Sequence, residues 1–281
     1  MFKRLLIVFT FALSTAYVNA QFLESYVQEG EFGFSLGAAH YFGDLNTNAR
    51  INRPKIAAGV FFRKQFSNYI GARLAVNYAQ LGYSDKYSSN PTERIRNLSF
   101  NTNVWEMSLT GEFNFFQFIP GQQGFRYTPY VFLGAGAFSY DPYAYLGGQK
   151  YYLRQIGTEG QGSSLYPDRK PYSSIALCLP AGVGIKYSLS DQVNVFGEVG
   201  YRFTNTDYLD DVSTSYAPDA FPPLPNGQPS TEYLLQDRSY EFGTPIGTKG
   251  RQRGNSKQKD SYVIVQIGIS LNLSSYRCPT Q

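Results

Sequence analysis

The chain has 281 residues, a formal charge of +4, 24 Tyr, 22 Phe and 27 Gly, but one His, two Cys and two Met. This composition excludes a disulfide scaffold and favours an all-β fold rich in aromatic and turn residues. Two of the positive charges, Lys3 and Arg4, sit in the N-terminal leader, so the remainder is nearly neutral and nucleic acid is excluded as a partner.

The first stretch reads as a secretory signal peptide, residues 1–20: Lys3 and Arg4, then an apolar run from Leu5 to Ala12, then Val18-Asn19-Ala20 as the cleavage site. No later apolar run approaches the ~20 residues of a membrane helix. Residues 21–273 are expected to form one barrel domain. Eight segments alternate with a period of two: 31–42, 55–66, 69–83, 97–116, 126–140, 173–188, 193–203 and 261–273. The connections alternate long and short: 43–54, 67–68, 84–96, 117–125, 141–172, 189–192 and 204–260. Outer-membrane barrels have this asymmetry, with long outer loops and short periplasmic turns. The expected fold is an eight-stranded antiparallel transmembrane β-barrel with both termini in the periplasm, and residues 274–281 as a periplasmic tail.

The faces follow from the alternation. In the last segment Val263, Val265, Ile267, Ile269, Leu271 and Leu273 share one face, against Tyr262, Gln266, Gly268, Ser270 and Asn272. Trp105, Met107, Leu109, Phe113 and Phe115 oppose Glu106, Ser108, Thr110, Glu112 and Asn114. Each charge left in lipid near the bilayer midplane costs roughly 2–4 kcal/mol, less for acids, so the apolar faces are assigned to lipid. The lumen then holds Arg63, Arg73, Lys186 and Arg202 against Glu106, Glu112 and Glu198. Mixed signs in a narrow interior predict pairing and a plugged lumen; a ring of one sign would predict an ion path. Tyr130, Phe132 and Phe138 are expected to fill space beside them.

Enzymatic chemistry has little to stand on. His40 is the only histidine and is expected at the membrane interface beside Tyr41 and Phe42. There is no Gly-x-Ser-x-Gly elbow, no metal-spaced His/Cys cluster and no phosphate loop. No catalytic residue, metal or cofactor is assigned. Asp207, Asp210 and Asp211 follow the seventh strand, where a structured loop base competes with a Ca²⁺ site. Residues 249–259 carry five basic side chains with Gly and Gln and no apolar residue, and are expected to be a mobile loop tip. Residues 217–229 are Pro-rich and are expected to be extended.

Several motifs, in order along the chain, carry a resemblance. They are Tyr41-Phe42-Gly43-Asp44-Leu45-Asn46; Pro54 to Arg63 with Gly71-Ala72-Arg73; Arg96-Asn97-Leu98-Ser99-Phe100 with Glu106 and Glu112-Phe113-Asn114; Gly157-Thr158-Glu159-Gly160-Gln161-Gly162; Thr206-Asp207-Tyr208-Leu209-Asp210-Asp211; and Cys278-Pro279. Together they resemble the PorG-type outer-membrane barrels of the Bacteroidetes type IX secretion system, within the small OmpA-like barrels. The resemblance implies a non-enzymatic scaffolding subunit in the cell outer membrane, contacting a periplasmic ring of a lipoprotein and its companion subunit. It implies a role in protein transport and, in gliding relatives, motility. The parts able to reach such a ring are the short turns and the tail, with Ser274, Ser275, Tyr276, Arg277, Cys278 and Pro279 as candidate contacts. The competing expectations are a surface adhesin or receptor, and a narrow solute pore.

Overall fold

A computed structural model describes residues 30–273. The signal-peptide reading and the tail 274–281 therefore lie outside the described residues. The strands are β1 (Gly30–Phe42), β2 (Lys55–Gln65), β3 (Ile70–Ser84), β4 (Ser99–Asn114), β5 (Tyr127–Ser139), β6 (Tyr143–Leu146), β7 (Gln149–Tyr152), β8 (Ile175–Ser188), β9 (Val193–Thr204) and β10 (Ser261–Leu273). The eight long strands are antiparallel neighbours in the order β3-β2-β1-β10-β9-β8-β5-β4, and β4 pairs with β3 to close the barrel. The last strand meets the first over its whole length, Gly30 opposite Leu273 and Phe42 opposite Ser261. Closure removes both edges of the eight-stranded wall, so each of its eight strands has backbone partners on two sides.

Strand length fits a membrane. The shortest barrel strand has 11 residues and the longest 16. At about 3.3 Å per residue and a tilt of some 40°, eleven residues rise close to the thickness of a hydrocarbon core. The outward positions are apolar and uncovered: Leu36, Trp105, Leu133, Leu177, Val183 and Ile267 are all exposed, Ile267 by 73%. This continuous apolar belt calls for an apolar solvent. Aromatic rings edge it: Tyr78, Trp105, Tyr201 and Phe203 toward the long loops, Phe66, Phe113, Phe115, Tyr127 and Tyr187 toward the short turns. Among the described residues no helix is long and apolar enough to cross a membrane; the strands supply the span.

Serines set the two shortest turns. Ser67 Oγ accepts from Ile70 N at 3.1 Å, and Ser190 Oγ from Val193 N at 3.2 Å, each replacing a backbone partner at the hairpin tip. The largest apolar core lies above the belt, where Tyr41, Leu81, Phe100, Val104, Phe138 and Tyr262 meet Leu45, Leu98, Leu209, Val212 and Leu235 from the long connections. β6 and β7 form a hairpin in the third long connection that extends the wall beside β4, Tyr143 opposite Asn101.

Candidate functional site

Inside the barrel the seven charged residues singled out from sequence fall into two clusters. In the lower one Glu112 of β4 is central. Its carboxylate lies 2.9 Å from Arg63 Nε, 3.1 Å from Arg73 Nε and 2.5 Å from Lys186 Nζ. Arg73 Nη1 donates to Glu198 Oε2 at 2.7 Å; Glu198 also accepts from Tyr130 OH at 2.5 Å and Gln266 Nε2 at 2.6 Å. In the upper cluster Arg202 Nε lies 3.1 Å from Glu106 Oε2, and Glu106 accepts from Tyr262 OH at 2.7 Å and Asn77 Nδ2 at 3.0 Å. All seven side chains are at most 5% exposed.

One member was missing from the sequence reading. Glu31, at the start of β1, pairs with Arg63 and accepts from Ser270 Oγ at 2.7 Å. It makes four carboxylates against four cations, so the interior is neutral as a set. The signal was available: Glu31 shares parity with Gly33, Ser35 and Gly37, the inward face of its strand. A strand's first residue is easily discounted as frayed, which hides a charge there.

Rings fill what the charges leave. Tyr130 and Phe132 lie flat against β8 and β9 because glycine faces them. A Cβ on Gly184 would stand 2.6 Å from Tyr130 Cζ, and one on Gly182 2.5 Å from Phe132 Cζ. The cavity between the clusters, lined by Phe61, Arg73, Phe132, Glu198 and Arg202 among others, measures about 10 Å³. That is room for about one water.

Above the barrel the four long connections form a folded cap, stitched by residues from all four. Arg96 grips Asp85 with two 2.7 Å bonds and donates to Asp44 O at 2.9 Å and Arg253 O at 2.7 Å. Arg253 in turn pairs with Glu159 at 3.2 Å and donates to Asp211 O at 2.5 Å. Glu159 accepts from Ser213 N at 2.9 Å and from Thr214 N and Oγ at 2.9 and 2.5 Å. Tyr140, Tyr172 and Tyr208 stack beside this, with ring planes within 6°.

The cap corrects several expectations. Residues 249–259 are not a mobile tip throughout: Arg253 is buried, because Glu159 and Asp211 need its charge. Residues 217–229 are not simply extended: Pro218–Ala220 makes a 3₁₀ turn, and Ala217 and Phe221 are buried. His40 sits near the end of β1 and is buried there. The 43–54 loop covers it, with Nε2 2.5 Å from Arg50 O.

Asp207, Asp210 and Asp211 do not converge on one point. Asp207 accepts from Ser213 Oγ at 2.6 Å, Asp210 from Tyr41 OH at 2.5 Å, and Asp211 from Tyr172 OH at 2.6 Å and from Thr158. Among the described residues no group of His, Cys, Asp and Glu has the arrangement of a metal site. Burial pushes Asp207 and Asp211 up to about 6, against the hydrogen bond from Ser213 and the charge of Arg253 respectively. Asp210 and Asp260 are raised well above the usual range by burial and neighbouring carboxylates.

A cleft of about 270 Å³ opens in the cap between Asp44, Arg96, Tyr216, Arg251 and Asn255. Arg96, Glu159 and Asp207 through Asp211 all lie in the motifs that carried the resemblance. The candidate contacts Ser274, Ser275, Tyr276, Arg277, Cys278 and Pro279 lie outside the described residues. Cys178 is buried and has no disulfide partner among the described residues.

A closed eight-stranded barrel, apolar and aromatic-edged outside and polar within, is a small barrel of the outer-membrane type. The chain belongs to the DUF6089 family, a domain of unknown function whose family model matches residues 3–227. No curated protein matches it. Among solved structures it is similar to the N-terminal β-barrel domain of Pseudomonas aeruginosa OprF, at 9% identity over 88% of this chain and 99% of that one, with a TM-score of 0.38. It is also similar to Neisserial surface protein A, at 9% identity over 87% and 97% with a TM-score of 0.41. A third is the attachment invasion locus protein of Yersinia pestis, at 12% identity over 87% and 99% with a TM-score of 0.38. The fold itself rests on the closed strand order of the barrel.

Proposed function

We propose that the protein is a non-enzymatic subunit of the cell outer membrane that anchors a protein-export machine of the type IX class, contacting a periplasmic ring through its short-turn end. In this reading the leader is cleaved on export, the long loops face outward, and the lumen is plugged. The observation that carries the proposal is the neutral, packed interior. Four paired carboxylates and cations around a cavity of about 10 Å³ suit a barrel that serves as a wall anchor and not as a conduit. The ordered motifs supply the choice of machine.

The short-turn end is suited to contact. Its connections are tied to one another and to the strand ends: Phe118 N donates to Asn68 O at 3.2 Å, Gly121 N to Ser188 Oγ at 3.0 Å, and Asn272 Nδ2 to Asp191 O at 2.7 Å. A connected platform loses little conformational entropy when a partner docks on it. The test is a tagged pull-down from solubilised outer membrane. Ring lipoprotein and companion subunit should co-purify, and deletion of 274–281 should release them while the barrel stays folded. Recovery of the barrel alone from the intact chain would end this reading.

One observation favours a second reading, a surface receptor: the cap holds a cleft of about 270 Å³ beside which Tyr216 OH is buried with no hydrogen-bond partner among the described residues. Replacing the cap connections while export continues would favour it over the anchor.

A further inference from the structure

We infer that the outward face of the β6–β7 hairpin is a headgroup-binding foot, which clasps the phosphate of an outer-leaflet lipid. The inference rests on the membrane reading of the belt and adds a specific lipid contact to it. The hairpin's orientation follows from strand pairing. Odd-numbered residues of β4 point outward, Trp105 and Met107 among them. Directly opposed residues of an antiparallel pair lie on the same face, so Tyr143, opposite Asn101, points outward too. Tyr152 is opposite Tyr143 and Lys150 opposite Tyr145, which puts all four side chains on that face. The other face is spoken for: Ala144 is buried in the cap core and Tyr151 packs against it.

Height places this face at the headgroups. Asn101 is four residues above Trp105 along β4. That is roughly 13 Å of strand and about 10 Å of height at the usual tilt, the depth of the zone between hydrocarbon and water. Trp105 and Tyr78, with ring centroids 5.0 Å apart, form the aromatic edge just below. The patch is thus continuous with the lipid-facing belt.

The chemistry is complementary to a phosphate. Lys150 Nζ sits 3.8 Å from the Tyr143 ring centroid and 4.6 Å from that of Tyr152, and donates to Tyr152 OH at 3.0 Å. Lys55 Nζ, at the same level, donates to Asn101 Oδ1 at 2.6 Å. Both ammonium groups are held by neutral partners, which leaves their charge to attract an anion. Tyr145, half exposed, offers a phenol at the rim. Tyrosines suit this zone because the ring sits toward the hydrocarbon and the hydroxyl toward water.

The test uses the full-length chain refolded into phosphatidylcholine vesicles with or without phosphatidic acid. Flotation with the vesicles and heat-modifiable migration first establish insertion, so failure of the membrane reading shows as a chain that does not float. Inserted protein is then treated with a membrane-impermeant amine-acylating reagent, and lysines are read by peptide mass spectrometry. Lys150 and Lys55 should label severalfold more slowly when phosphatidic acid is present, while Lys257 in the cap labels equally in both. In native mass spectrometry the wild type should retain phosphatidic acid that a Lys55→Gln, Lys150→Gln variant loses. Equal labelling of Lys150 in both vesicles would overturn the inference. So would protection of Lys257 to the same degree, which would mean general charge attraction.

Discussion

Glu112 and Lys186 meet inside the barrel at 2.5 Å, although β5 stands between their strands. The pair bridges over β5 along one side of the wall, and Glu112 simultaneously serves Arg63 and Arg73. One carboxylate thus neutralises much of the charge of three cations where water is scarce. A buried charge deprived of its partner is far more costly than the pair was worth, because its desolvation is no longer offset.

Glu112→Gln keeps the shape and removes the charge. The expected cost is about 3–5 kcal/mol, the usual penalty for breaking a buried ion pair. Urea unfolding from lipid vesicles reads it through Trp105, the sole tryptophan, which points into the belt and shifts its emission on leaving lipid. Lys186→Met in the same background should recover part of the loss. A Glu112→Gln barrel as stable as wild type would mean that the interior ion pairs do not hold the strands together.

Wild-type protein in a planar bilayer should give no discrete conductance steps. The interior cavity is too small for a hydrated ion, and both clusters lie across the path. Combining Phe61→Ala, Phe132→Ala and Arg202→Ser removes two rings and the cation facing Glu106. Steps should then appear and favour cations, because Glu106 and its neighbours would be left without Arg202. Steps from the wild type would replace the anchor with the pore.

The barrel was largely legible in the sequence because its physics is local. Alternation of Val263 through Leu273 against Gln266, Gly268 and Ser270 sets a face without knowledge of any other strand. The strand ends moved by at most a few residues: the fourth segment, read as 97–116, spans Ser99–Asn114. The cap was not legible for the opposite reason. Arg253 and Glu159 are 94 residues apart in the chain, in Gly-containing loop segments where no pattern links the two. Only the assembled loops show that each charge is buried against the other. The β6–β7 hairpin was missed because four-residue strands show too little alternation to register.

The cap should be more firmly closed in mild acid than at neutral pH. Asp207 and Asp211 titrate near 6 in the folded cap, above the ordinary value for aspartate, with burial the largest cause in both. A carboxyl whose folded pKa is raised binds its proton more tightly folded than unfolded. Its contribution is complete below the unfolded pKa, near 4, and is lost as pH rises through 6. Asp210 and Asp260 shift in the same direction. Backbone amides of Leu209 through Thr214 should therefore be better protected from hydrogen exchange at pH 5 than at pH 8, after correction for intrinsic rates. Asp207→Asn should flatten that difference. Greater protection at pH 8 would mean that ion pairing of Asp211 with Arg253 outweighs burial.

Arg253→Met should open the cap and leave the barrel standing. Arg253 holds Glu159 and the carbonyls of Asp211 and Gln236, and its own carbonyl receives Arg96. Methionine retains the packing of the stem but strands Glu159 in a buried site, a loss of about 3–5 kcal/mol by the same reasoning as for Glu112. Here the loss falls on connections outside the belt, which share few interactions with the interior clusters. Trypsin should cut the variant at Lys249 and Arg251 many times faster than wild type. The strands, protected by lipid and by a closed hydrogen-bond ladder, should still migrate as a heat-modifiable barrel. A double Arg253→Met, Glu159→Gln chain should resist trypsin better than the single variant, because the stranded charge is gone even though the ion pair is not restored. If the double variant is cut as fast as the single, Arg253 closes the cap through its carbonyl contacts and not through Glu159.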